Sequence, residues 1–235
     1  VTVIDAKVLV RRRGRVVLGP ISMRFEPGIT VVAGENGAGK TTLALALAGA
    51  IRFEGAVEIN GDRSDRRRLH VARLPQSPSG LDHLSLSGAL SYVATLRRVE
   101  VVPARLMESA GLERLARAKL RSMSGGERQR AYVLASTVGS PDLLILDEPT
   151  VGVDAEHRLA IHEMLRLCPA RHVIVTSHLP DDLAALGADR TVVLAAGRVA
   201  FDGPVAELEA TVGPDPAHSR IDRALVAVAR GSAAA

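Results

Sequence analysis

Aromatic side chains are almost missing from this chain, with three Phe, two Tyr and no Trp among 235 residues. Its core must therefore be built from Val, Leu, Ile and Ala, and stacking platforms for unpaired nucleobases are scarce, which argues against a single-strand nucleic-acid binder. Cysteine is nearly missing too. With Cys168 alone no intrachain disulfide and no Cys-rich metal site can form, so a buried structural thiol in a reducing cytoplasm is expected. Long hydrophobic runs are lacking. The longest, Leu43 to Ile51, is about half of the roughly 18 residues that a membrane-crossing helix requires. The N-terminus shows no charged-then-apolar leader, and its start at Val1 rather than Met points to processing or trimming, so the chain is expected in the cytoplasm.

What is present suits one α/β domain with a small insertion, since 47% of the residues are hydrophobic and the length allows a substantial core. A net charge of +4 and a pI near 9.8 are compatible with nucleic acid, with anionic lipid or with an arginine-rich proteome, and decide nothing alone. The stretch around which the rest is arranged is Gly34-Glu35-Asn36-Gly37-Ala38-Gly39-Lys40-Thr41, which fits G-x-x-x-x-G-K-[ST] at every specified position. Its glycines let backbone N–H groups face one point, Lys40 adds a positive charge there, and Thr41 offers Mg²⁺ a hydroxyl. Ile29 to Ala33 before it reads as a buried strand. Thr41 to Ala50 after it reads as an Ala/Leu-rich helix whose N-terminal N–H groups and dipole favour bound phosphates.

In chain order, Val3 to Val10 and Val16 to Leu18 predict an antiparallel hairpin turning near Gly14, and Ile21, Met23 and Phe25 a further strand before Pro27-Gly28. Gly55 to Gly61 reads as a strand with an Asn-Gly turn, completing an antiparallel sheet. Asp62 to Arg68 reads as a solvated loop and not as a DNA site. Val71 to Leu74 is a possible strand, Pro75 to Gly80 a break, and Leu81 to Leu120 a helical insertion interrupted near Pro103 and Gly111. A helix from Ser124 to about Val138 follows. Leu143 to Leu146 and Val173 to Thr176 are continuously apolar, as parallel strands covered on both faces are. Asp154 opens a helix to about Leu167, and Thr191 to Leu194 with Val199 to Phe201 close the strands. One amphipathic helix carrying Ile221, Leu225 and Val228 ends the chain, with Gly231 to Ala235 frayed. Strands alternating with helices around a phosphate loop predict a doubly wound sheet.

The chemistry gathers at strand ends. Asp147, closing an apolar run, lies at the carboxyl edge where open α/β sheets bind ligands, and suits an outer-shell Mg²⁺ partner of Thr41. Glu148 points elsewhere and can reach a water beside the terminal phosphate as general base or water-orienting group. His178 ends another strand at the same edge and can hydrogen-bond the γ-phosphate or steady Glu148.

With these residues in place, the chain resembles the ATP-binding cassette (ABC) ATPase family from about Val3 to Leu208. The motifs recur in family order: the Walker A loop Gly34 to Thr41, the Q-loop Gln76, the signature Ser124-Gly125-Gly126-Glu127, the Walker B strand Leu143 to Asp147 with Glu148, and the switch His178. Val151-Gly152-Val153-Asp154 resembles the D-loop. The resemblance implies an α/β P-loop NTPase core with a mostly parallel sheet, an N-terminal antiparallel β-subdomain and a helical insertion. Core and β-subdomain would span about 1–76 and 123–212, the helical subdomain about 77–122 and a C-terminal helix about 217–230. It implies ATP and Mg²⁺, nucleotide contacts from Gly34 through Thr42, and a metal role for Thr41, Gln76 and Asp147. Two protomers, either two copies or a copy with a homologous ATPase subunit, would sandwich two ATP molecules head to tail. Ser124, Gly125 and Gly126 would then meet the γ-phosphate from the far side.

Two departures stand out. Glu127 occupies a place where the family often has Gln. The adenine-stacking aromatic of many members falls near Arg13, whose guanidinium either stacks in its place or belongs to a solvated hairpin tip. The function implied is the ATP-hydrolysing subunit of a transporter, peripheral on the inner face of the cell membrane and driving separate transmembrane permease subunits, with no direct nucleic acid. The alternative is a soluble ABC ATPase acting on DNA, ribosomes or cofactor assembly.

Overall fold

Residue parity along the central strands explains the layering. In the computed structural model, which describes residues 3–59, 70–99, 107–108, 110–211 and 220–233, β3 (Gly28–Ala33), β6 (Leu143–Asp147), β7 (His172–Ser177) and β8 (Arg190–Ala195) are largely or wholly buried. Successive side chains of a strand face opposite sides. Val31, Leu144, Leu146, Val173, Val175 and Val193 accordingly enter one apolar cluster, whereas Val32, Leu143, Ile145, Ile174, Val192 and Leu194 enter another. Burying each such side chain stabilises by about 1.5–3 kcal/mol.

The larger sheet has the order β5-β6-β7-β3-β8-β9, with β5 at Val71–Leu74 and β9 at Arg198–Gly203. Its pairs are parallel except β8 with β9. A second sheet, β2-β1-β4, is antiparallel, with β1 at Ile4–Arg12, β2 at Arg15–Phe25 and β4 at Glu54–Ile59. It covers one face together with α1 (Lys40–Leu47). The other face carries α2 (Leu86–Arg97), α3 (Gly125–Thr137), α4 (Ala155–Arg166), α5 (Pro180–Ala185), α6 (Val205–Ala210) and α7 (Arg220–Ala233). No helix among the described residues is long and apolar enough to cross a membrane.

The expected hairpin turns at Arg13-Gly14, both with positive φ, where Arg12 pairs with Arg15. Three expectations change. The strand expected at Ile21 is not separate: β2 runs unbroken from Arg15 and shifts register around Gly19, whose N–H bonds Gly197 O. The insertion is less helical than its pattern suggests. Besides α2 and a helical turn at Met107, Glu108 and Ala110, its described residues form 3₁₀ turns at Glu113–Leu115 and Leu120–Ser122 and a Ser85–Lys119 bridge. The last helix continues through Gly231 to Ala233 rather than fraying there. The Asn60-Gly61 turn, the Asp62 to Arg68 loop and the Pro103 break lie outside the described residues.

Candidate nucleotide site

Parallel registry brings four strand ends to one edge. Leu74 pairs with Leu146, Asp147 with Thr176, and Ser177 with Ala33. The residues that follow, Gln76, Glu148, His178 and Gly34, are therefore neighbours although they lie far apart in the chain.

The phosphate loop leaves β3 at Gly34 and enters α1 at Lys40, with Gly39 as the N-cap in a left-handed conformation. Gly34 has φ 149°, and a Cβ there would overlap the carbonyl of Leu194, so only glycine fits so near β8. Lys40 is 4% exposed and donates to Gly34 O at 2.8 Å and Glu35 O at 3.2 Å. Its ammonium is thus held inside the loop, where a phosphate oxygen can replace a carbonyl partner. No side chain caps the first turn of α1, so its N–H groups and positive dipole end are available to an anion.

Behind the loop, buried Asp147 accepts from Thr41 Oγ1 at 3.1 Å and Thr176 Oγ1 at 2.7 Å, both on Oδ1. A Thr41 hydroxyl whose proton goes to Asp147 keeps its lone pairs for a cation. Hydroxyl and carboxylate oxygens are hard donors suited to Mg²⁺, which completes its shell with phosphate and water. Among the described residues no group of three His, Cys, Asp or Glu side chains is placed to hold a metal ion.

Glu148 is 6% exposed and adopts φ 49°, in the left-handed region that non-glycine residues rarely visit. The backbone twist separates its side chain from that of Asp147, and Thr176 fixes it: Glu148 N donates to Thr176 O at 3.1 Å and Oγ1 at 3.0 Å. Its carboxylate accepts from Gln76 Nε2 at 2.9 Å and stands 3.3 Å from both Lys40 Nζ and His178 Nδ1. Three separate segments meet on this one side chain.

Ser124, Gly125 and Gly126 do not join this group within the chain. Ser124 is the N-cap of α3, and its hydroxyl accepts from Glu127 N at 3.2 Å while the Glu127 carboxylate accepts from Ser124 N at 2.8 Å, a complete capping box. These hydrogen bonds hold the Glu127 carboxyl below its usual pKa. The start of this helix is open to solvent at Ser124 and Gly125.

A family model described as ABC transporter matches residues 18–151. Over 235 aligned residues, covering 94% of this chain and 84% of that protein, the sequence is 37% identical to the aliphatic sulfonates import ATP-binding protein SsuB 1 of Frankia alni. It is 32% identical over 215 residues, covering 85% and 70%, to the Nod factor export ATP-binding protein I of Cupriavidus metallidurans. The chain belongs to the ABC transporter ATP-binding family. As such it is an ATP-binding transporter ATPase with the α/β fold expected. A solved structure of an ATP binding subunit of an ABC transporter superposes with a TM-score of 0.81 at 22% identity, covering 97% of this chain and 99% of that one, which speaks for the shared fold.

In this ABC ATPase the D-loop-like segment Val151 to Asp154 ends on the N-cap of α4, and the Asp154 side chain accepts from His157 N at 3.0 Å and meets His157 Nδ1 at 2.9 Å. The His157 ring lies so close to Gly126 that a Cβ there would overlap it, which packs the start of α4 against the signature. Arg13 is exposed at its hairpin tip. The same β2 strand reaches the phosphate loop farther on, where Leu18 packs beside Gly39. Cys168 is half-buried against the core and its thiol pKa is raised by burial, so it is a packing residue and a poor nucleophile.

Sequence reasoning missed Thr176, which sets both Asp147 and Glu148, and missed the buried carboxylate of Asp182. A hydroxyl closing an otherwise apolar strand was a usable signal for the first. Asp182 offered none, because its partners come from three elements.

Proposed function

We propose that this ABC ATPase hydrolyses ATP at the Glu148 site with the signature of a second protomer completing it, and that closure of the pair drives separate transmembrane permease subunits. The observation that carries the reading is the convergence of Gln76, Lys40 and His178 on Glu148 beside the Thr41–Asp147 pair. Lys40 and the N–H groups of Gly34 to Thr42 would bind the phosphates. Thr41, Asp147 and the Gln76 amide oxygen would hold Mg²⁺, which when bound neutralises charge developing on the β- and γ-phosphates. Glu148 orients a water toward the γ-phosphorus and takes its proton as the new P–O bond forms and the bond to ADP breaks. His178 donates to the γ-phosphate or to Glu148.

The signature of one protomer lies apart from its own Lys40 site, which favours a head-to-tail pair of two copies or of this chain with a homologous ATPase subunit. ADP lacks the phosphate that would bridge them. The proposed subdivision is a core at about 1–76 and 123–212, a helical subdomain at about 77–122 and a terminal helix, with the protein peripheral on the inner face of the membrane. Exposed Tyr92 and Leu96, one helical turn apart on α2, support a permease contact there. The same helix carries Val93 and Arg97, which line a cavity of about 170 Å³ together with Pro75, the residue before Gln76.

The test is the light-scattering mass of Glu148→Gln, alone and after detergent co-purification with its membrane partner. ATP should give the closed pair and ADP the single protomer. Equal masses with both nucleotides, or permease binding that survives charged substitutions at both Tyr92 and Leu96, would contradict the corresponding half of the proposal.

A further inference from the structure

We infer that His162 is a positioning residue for hydrolysis, acting through buried Asp182 on the D-loop and on the switch histidine together. Asp182, on α5, is 0% exposed, and a carboxylate so placed persists only when donors surround it. It has three. Thr150 Oγ1 reaches Oδ2 at 2.7 Å, Ser177 Oγ reaches Oδ2 at 2.5 Å, and His162 Nε2 lies 2.8 Å from Oδ1.

Each donor stands at a consequential point in the chain. Thr150 immediately precedes the exposed D-loop residues Val151 and Gly152, while His162 sits on α4, the helix that Asp154 caps at the other end of that loop. Ser177 immediately precedes His178, and its hydroxyl also accepts from Leu179 N at 2.9 Å, so the switch residue is clamped on both sides. One carboxylate thereby ties the two ends of the D-loop to the backbone that aims His178 at Glu148. His162 is buried, and among the described residues its Nδ1 has no hydrogen-bond partner. The neutral Nε2–H tautomer satisfies this arrangement, because a bare Nδ1 leaves no donor stranded. Packing alone would be met by Leu at this helix position, so what the imidazole adds is its hydrogen bond to Asp182.

The inference rests on the assignment of Glu148 and His178 to hydrolysis, and its test separates the two. Steady-state ATP hydrolysis and nucleotide affinity are measured on the full chain for His162→Leu, His162→Gln and Ser177→Ala, with Glu148→Gln and His178→Ala alongside. His162→Leu should lower kcat about 10-fold, within the ~10²-fold that a misplacement of about 1 Å can cost, while ATP affinity stays within about 2-fold because the phosphate loop is held by other contacts. His162→Gln, whose amide can donate to Asp182, should recover most of that loss. A merely structural role would lower the melting temperature of both variants and leave kcat per folded molecule unchanged. Wild-type kcat in folded His162→Leu, or no recovery with Gln, overturns the inference. Should His162→Leu not fold, an unchanged kcat in Ser177→Ala does so. Wild-type turnover in both Glu148→Gln and His178→Ala would remove the reading beneath it.

Discussion

The carboxylate of Asp182 is buried, which pushes its pKa up, yet hydrogen bonds from His162, Ser177 and Thr150 more than offset this and hold it below its usual value. A depressed folded-state pKa means that the stabilisation is fully present above the unfolded value of about 3.9 and is lost as pH falls through the folded one. Denaturation of wild type and Asp182→Asn should therefore show a constant stability gap from about pH 7 to 5 that narrows below about pH 4. A gap that widens toward acid would mean that the carboxylate is not stabilised in place. At Arg13 the expectation is nucleotide affinity weakened about 5- to 150-fold in Arg13→Ala, from stacking of roughly 1–3 kcal/mol, and restored in Arg13→Tyr. Equal affinities in titrations with Mg²⁺ would leave adenine resting elsewhere. Individual residues were legible where local pattern implies chemistry. Lys40 and Thr41 are set by loop spacing, and Asp147 and Glu148 by an apolar run that ends in acid. Thr176 and Asp182 were not, since a hydroxyl or carboxylate gains its meaning only from partners in other strands and helices.

The signature helix shows how one element is held at both ends. Its start is closed by the Ser124–Glu127 capping box, and its end by Arg97 of α2, which donates to the carbonyls of Ser136 and Val138. Between them, Gln129 donates to Pro149 O at 3.0 Å, and Arg130 and Tyr132 bond the backbone of Ala110 and Leu81. The helix thus links the insertion to the segment just after Glu148. Ser124→Ala should cost about 1 kcal/mol in urea denaturation, as loss of an N-cap does; no change would mean that the cap is inert. Gln76→Ala should uncouple hydrolysis from the permease, measured as loss of partner-stimulated ATPase activity and transport. Stimulation and transport at wild-type levels would refute a linking role. The buried strands were plain from their apolar runs. The joined β2 was hidden because Gly19-Pro20 reads as a break, although the strand only shifts register there. The insertion seemed more helical than it is because apolar spacing does not distinguish α from 3₁₀ turns.

At the scale of the molecule, sheet order decides what chain order cannot. Putting β3 between β7 and β8, with β6 and β5 beyond β7, lines the phosphate loop, His178, Glu148 and Gln76 along one edge; in the proposed pair the signature would come from the second protomer. Nothing in the sequence states that order; the resemblance to the ABC family implied a mostly parallel sheet but not which strands adjoin. The account therefore stands on Glu148 as the group that acts on water while Lys40 and the loop bind phosphate. Its most direct test is to measure nucleotide affinity and phosphate release side by side in Glu148→Gln and wild type. The account predicts unchanged ATP affinity with release slowed by roughly 10²-fold or more, as expected for loss of a general base; release at the wild-type rate would contradict it.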